Sequence, residues 1–132
     1  MTAIQIYNLD KTSTQDNTSK QVLAQLAHIE SGLFIYDAWS AAQINSLLAQ
    51  PFNHIIYATD ELNQRLVGYC FYSHIFEDSE ILRIGTCIDY QQQGIASQLL
   101  TAIAQMCQVA GAERMLLEVR EDNYAALAFY QK

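Results

Sequence analysis

Apolar and polar positions along this chain change their spacing several times, and each change marks an element. From Ala3 to Tyr7, Ile4 and Ile6 alternate with polar neighbours, a period of two that predicts a strand. Asp10 to Asn17 is polar and reads as a loop. Thr18 to Glu30 sets Val22, Leu26 and Ile29 at helical spacing, and Thr18-Ser19-Lys20-Gln21 resembles a capping box at its start. An aromatic-rich loop, Ser31 to Trp39, follows. Ser40-Ala41-Ala42-Gln43 offers a second capping box ahead of Ile44, Leu47 and Leu48 on one helical face, and Pro51 ends that helix.

Three strand-like runs come next: His54 to Thr59, Leu66 to Ile75 and Ile81 to Ile88, separated by turns at Asp60 to Gln64 and Glu77 to Glu80. From Gly94, the residues Ile95, Leu99, Ile103, Met106 and Ala110 recur at helical spacing, and Gly111 stands where a C-cap belongs. Met115 to Val119 is a short apolar strand, and Tyr124 to Tyr130 reads as helical. The predicted order is β α α β β β α β α. The unit from Ile81 to Val119 is expected to be a right-handed β-α-β crossover with parallel strands. The meander before it is expected to be antiparallel, which makes a mixed, mostly antiparallel α/β sheet with flanking helices.

Composition narrows the class. Of 132 residues, 51% are apolar and 16% charged, and Gln (14) is as frequent as Asp and Glu together. Disorder is excluded, because it needs low hydrophobicity and high charge. One domain spanning 1–132 is expected. No apolar run approaches the roughly 20 residues of a membrane span. No basic region precedes an apolar run at the N-terminus, so no secretory signal is visible. Cys70, Cys87 and Cys107 are odd in number and widely spaced, which suits reduced thiols and a cytoplasmic setting. A net charge of −7 argues against nucleic acid and suits a cationic partner such as an amine or basic peptide. No His, Cys or carboxylate cluster has metal-ligand spacing, so no metal is expected.

The most informative segment is Asp89-Tyr90-Gln91-Gln92-Gln93-Gly94-Ile95-Ala96-Ser97, between a strand and a long helix. Small residues at Gly94 and Ala96 let a ligand approach the backbone, and N–H groups at a helix N-terminus bind phosphate without basic side chains. Spacing alone equally allows a tight turn with Gly as punctuation.

In its context this segment resembles the acyl-CoA motif of the GCN5-related N-acetyltransferase superfamily, Gln/Arg-x-x-Gly-x-Gly/Ala, here Gln91-Gln92-Gln93-Gly94-Ile95-Ala96. Leu116-Leu117-Glu118-Val119-Arg120 and Asn123-Tyr124-Ala125-Ala126-Leu127-Ala128-Phe129-Tyr130 follow where that family has them. The three together resemble the ribosomal-protein alanine N-acetyltransferase (RimI-type) branch, and Asp37-Ala38-Trp39-Ser40 is similar to its Pro-Trp-Ser segment. The resemblance implies that the backbone of Ile84, Gly85 and Thr86 pairs with the pantetheine arm of acetyl-CoA. It implies that Gln91, Gln92, Gln93, Gly94, Ile95, Ala96 and Ser97 cradle the pyrophosphate, and that Asn123 contacts the cofactor. Glu118 would be the general base and Tyr130 the general acid.

Residue chemistry agrees with these roles. An amine must lose a proton to be nucleophilic, and Glu118 lies on an otherwise apolar strand where burial raises a carboxyl pKa. A tyrosine keeps its proton at neutral pH and can protonate a departing thiolate. Taken singly, each residue also fits a plain role: an outward strand carboxylate for Glu118, aromatic packing for Tyr130. His28 and His54 read as surface or core-edge residues, His74 as a base without a partner, and Cys87 as a small buried thiol. Phe34, Tyr36 and Trp39 fit either a substrate groove or loop packing.

Two departures stand out. RimI-type sequences commonly have Arg where this chain has Gln92, which removes one phosphate-facing charge. The family also continues past the tyrosine with about two more strands, so the C-terminal strands are expected to be missing by truncation, or the open edge to be covered by a partner, such as a second copy in a homodimer. The expected function is acetyl transfer from acetyl-CoA to an amine, such as the N-terminus of a ribosomal protein beginning with alanine. The alternatives are a small-amine acetyltransferase and a non-catalytic acyl-CoA-binding domain.

Overall fold

The alternating stretches assemble into one five-stranded sheet in the order β1-β2-β3-β4-β5. The strands are β1 (Ile4–Asn8), β2 (Asn53–Asp60), β3 (Arg65–Ile75), β4 (Asp78–Thr86) and β5 (Arg114–Leu117). This computed structural model describes residues 3–9 and 17–117, with side chains for 3–9 and 19–113. The first four strands pair antiparallel. β4 and β5 pair parallel across α3 (Ile95–Val109), as the strand–helix–strand pattern predicts.

Two helical layers cover the sheet. On one face, Ile55, Tyr69 and Phe71 pack against Leu26 of α1 (Asn17–Leu33) and against Ile44 and Leu48 of α2 (Ala41–Ala49). On the other, Ile56, Ala58, Cys70 and Ile81 pack against Ile95, Leu99 and Ile103 of α3. β3 is therefore buried without a break from Leu66 to Ser73. Among the described residues no helix is long and apolar enough to cross a membrane.

Two β-bulges reset the alternation. Val67 is the extra residue where β3 passes β2, and Leu82 the extra residue where β4 passes β3. At the first, a Cβ on Gly68 would stand 2.9 Å from Ile95 Cγ2, so the absent side chain lets the start of α3 sit directly on β3.

Ser40 caps α2 as its sequence predicts: its Oγ accepts from the Gln43 N–H at 3.2 Å, and the Ser40 N–H donates to Gln43 Oε1 at 2.8 Å. Three boundaries differ. α1 begins at Asn17, so Thr18 is inside the helix rather than capping it, and α1 runs on to Leu33. The turn expected at Glu77 to Glu80 is shorter: Ile75 already pairs with Asp78, and Phe76 adopts φ 52°. Ile88 leaves the strand for a 3-10 turn, Ile88–Tyr90. The expected helix at 124–130 and the last residues of the expected strand, 118–119, lie outside the described residues.

Candidate active site

β4 is the spine of the site. β5 pairs with it from Asp78 to Ile81, and the described part of β5 ends there at Leu117. Beyond Ile81, β4 continues through Ile84, Gly85 and Thr86, paired on its β3 side. Among the described residues, no strand lies beside the other edge of these three. Such an edge presents N–H and C=O groups to an extended, amide-bearing ligand.

Gly85 has no room for a side chain. A Cβ there would lie 2.6 Å from the Tyr69 hydroxyl oxygen and 2.9 Å from Leu33 Cδ1. Gly85→Ala should push β4 off Tyr69 and cost about 1–3 kcal/mol of stability, read by thermal melts. An unchanged melting temperature would remove the close approach from the account.

After β4 the chain is drawn back to β3 by the Cys87 N–H, which donates to Val67 O at 2.8 Å. The 3-10 turn follows, then two residues in the left-handed region, Gln92 (φ 63°) and Gly94 (φ 83°). Gln91 Nε2 donates to Thr86 O at 3.1 Å, and Gln93 Nε2 to Asp89 O at 3.3 Å, so these two amides close the loop upon itself. Gly94 is the N-cap of α3, and the first intrahelical bond runs from the Gln98 N–H to Gly94 O at 3.0 Å. The N–H groups of Ile95, Ala96 and Ser97 precede that bond and crown the helix N-terminus. A Cβ on Gly94 would meet nothing within 4 Å, so the space beside it is open. A pyrophosphate fits this chemistry: oriented N–H donors, a helix dipole and an exposed backbone.

The loop is anchored from behind by Asp60. This carboxylate is fully buried. Its Oδ2 accepts from the Tyr90 hydroxyl at 2.7 Å and the Asn63 amide at 2.9 Å, and its Oδ1 from the Leu62 N–H at 3.1 Å. These bonds, that of Tyr90 foremost, hold the Asp60 pKa below the usual carboxylate range. A depressed pKa stabilises the fold above the ordinary value, about 3.9, and the contribution disappears as pH falls through the folded value. Asp60→Asn is therefore expected to lower the melting temperature most at pH 5–7, with the gap to wild type closing toward about pH 3. A gap that widens on acidification would contradict this.

On the α1 face of β4 lies a polar cluster that sequence reading did not single out. Glu30 of α1 is completely buried. It accepts from the Tyr69 hydroxyl at 2.5 Å, from Arg83 Nη1 at 2.6 Å and from the Trp39 N–H at 3.0 Å. Burial and the adjoining Glu30 carboxylate push the Tyr69 pKa upward, so Tyr69 stays a donor. The available signal was Arg83, the sole charge in the run Ile81 to Ile88.

Other candidates take structural places. Trp39 stacks on Phe71 and on the Arg83 guanidinium, and Phe34 stacks on that guanidinium too, which is loop packing rather than an open groove. Cys87 is a buried thiol whose pKa burial raises, hence unreactive. His74 is half-buried, its Nδ1 3.5 Å from Ser79 Oγ. Among the described residues no group of His, Cys, Asp and Glu could hold a metal. Glu118, Asn123 and Tyr130 lie outside the described residues.

The fourth strand leads through a glycine turn into a long helix and back to a parallel fifth strand, the unit in which the sequence placed its acyl-CoA motif. The Acetyltransferase (GNAT) family matches residues 12–132, and the chain belongs to it. Within that family, N-alpha-acetyltransferase RimI of Mycobacterium tuberculosis is 36% identical over 110 residues, which covers 80% of this chain and 66% of that protein. The match to a Bacillus subtilis relative spans 57% of that protein, so this chain covers less than two thirds of either relative. Among solved structures, ribosomal-protein-S18-alanine N-acetyltransferase from Escherichia coli superposes with a TM-score of 0.79 at 23% identity, covering 98% of this chain and 75% of the other. An aminoglycoside acetyltransferase, meta-AAC0020 from an uncultured soil metagenomic sample, also gives 0.79, at 20% identity over 97% of this chain and 85% of its own.

Proposed function

We propose that this chain transfers an acetyl group from acetyl-CoA to an amine, the N-terminal α-amine of a protein such as a ribosomal protein beginning with alanine. The observation that carries the reading is the junction of the β4 edge at Ile84–Thr86 with the N–H-crowned start of α3. One end suits an amide-bearing arm and the other a pyrophosphate. Similarity to N-alpha-acetyltransferase RimI supports a protein N-terminus as acceptor.

In the proposed reaction the amine nitrogen attacks the thioester carbonyl. The N–C bond forms and the C–S bond breaks. Glu118 accepts the amine proton, directly or through water, and Tyr130 gives its proton to the departing sulfur. Backbone N–H groups of β4 meet the carbonyl oxygen as it gains negative charge. Asn123 contacts acetyl-CoA in this reading.

The test is incubation with acetyl-CoA and a peptide beginning with Ala, followed by mass spectrometry of the peptide. A gain of one acetyl group on the α-amine is expected. Neither acetylation nor CoA binding by calorimetry would sink the proposal. Transfer to polyamines or amino sugars but not to peptides would move the acceptor to small amines, and CoA binding without any transfer would favour a binding domain.

A further inference from the structure

The buried cluster on the α1 face of β4 is not used by the transfer chemistry, yet it sits beside the strand where that chemistry is placed. Arg83 follows the extra residue of the bulge, Leu82, and directly precedes Ile84. Its side chain is 11% exposed. Nη1 donates to Glu30 Oε2 at 2.6 Å and to Asp37 O at 3.1 Å, and Nη2 donates to Asp37 Oδ2 at 3.3 Å. The guanidinium also lies 4.1 Å from the Phe34 ring centroid and 4.5 Å from that of Trp39. Phe34, Asp37 and Trp39 all belong to the connection between α1 and α2. One side chain of β4 thus grips a helix and three points of a loop.

The grip is selective. Ile35 and Tyr36, at the loop's crest, are 79% and 99% exposed, whereas the residues on either side of them are held. A buried ion pair is a weak source of net stability, since well-packed apolar residues do as well. What it supplies is geometry: a planar fork with donors in fixed directions, stacked between two rings.

We propose that Arg83 is a positioning residue for the amine acceptor. By fixing the loop 34–39 against β4, it sets the wall along which the amine reaches the acyl group. Acetyl-CoA affinity is left to the β4 edge and the start of α3. This inference rests on the acetyl-transfer reading above.

The experiment compares wild type, Arg83→Lys and the double variant Glu30→Gln/Arg83→Met, with acetyl-CoA and an Ala-starting peptide. Gln at position 30 retains one oxygen for the Trp39 N–H, its amide nitrogen can donate to the Tyr69 hydroxyl oxygen, and no unpaired carboxylate is left buried. Arg83→Lys keeps the charge beside Glu30 and loses the fork. In the double variant the KM for the peptide should rise about tenfold or more while the calorimetric CoA affinity stays within about twofold, and Arg83→Lys should fall between it and wild type. Trp39, the only Trp of the chain, should become easier to quench with acrylamide in the double variant. If wild type acetylates the peptide and neither variant changes the peptide KM, the positioning role is wrong and the transfer reading stands. Equal weakening for peptide and CoA would make Arg83 merely structural. If wild type binds CoA and acetylates no amine, the transfer reading fails and this inference with it.

Discussion

Glu118→Gln is expected to lower the turnover of acetyl transfer by about 10²–10⁴-fold with acetyl-CoA binding unchanged. The proposed acceptor is an α-amine, whose reference pKa is about 7.7–8.0, so near neutrality much of it carries a proton and cannot attack. A carboxylate positioned for it removes that proton, and the amide of Gln, nearly the same in shape, cannot. The pH profile gives a second reading of the same role. For wild type, kcat/KM should rise with pH as the base loses its proton, and that limb should be displaced in the variant. Tyr130→Phe probes the other end, because the departing sulfur then lacks its nearby proton source. Rates equal to wild type, measured by mass spectrometry of the acetylated peptide, would refute these assignments while leaving the cofactor site intact.

Glu30→Leu is expected to destabilise the fold by about 3–5 kcal/mol, the cost of removing the fully buried partner of an ion pair. Three groups lose the oxygens of Glu30 at once. Arg83 keeps a buried guanidinium with Asp37 alone to accept from it, and the Tyr69 hydroxyl and the Trp39 N–H lose the oxygens they meet. For a domain of this size the melting temperature should fall by roughly 10–20 °C. Chemical denaturation followed by far-UV circular dichroism measures it. Breaking the exposed pair Arg65–Asp89, whose side chains are 47% and 59% accessible, should matter far less, because water replaces either partner. Equal losses at the two pairs would show that the burial of Glu30 is not what gives it weight.

Much of the architecture was legible residue by residue. Ile4 and Ile6 marked a strand, Ser40 with Gln43 a helix start, and Gly94 the entry to the long helix. Each signal is local, since side-chain period, a cap and a turn all depend on neighbours a few positions away. The RimI-type resemblance rested on local motifs too, and membership of the acetyltransferase family follows it. Boundaries were less legible. α1 ran three residues past its expected end, and the hairpin before β4 closed on a shorter turn.

Nothing local announced that Glu30 and Arg83, 53 positions apart, would meet. Nor did anything join Asp60 to Tyr90 across 30 positions behind the loop that enters α3. The bulge at Leu82 decides the first case. Strict alternation from Ile81, which faces α3, would turn Arg83 toward α3 as well. One extra residue in β4 reverses the alternation, so Arg83 faces Glu30 and Ile84 returns to α3. The described elements, their order and the glycine turn before α3 were thus determined by the sequence through short-range rules. The face on which Arg83 lies, and therefore the loop it holds, was decided only by how strands β3 and β4 register against each other.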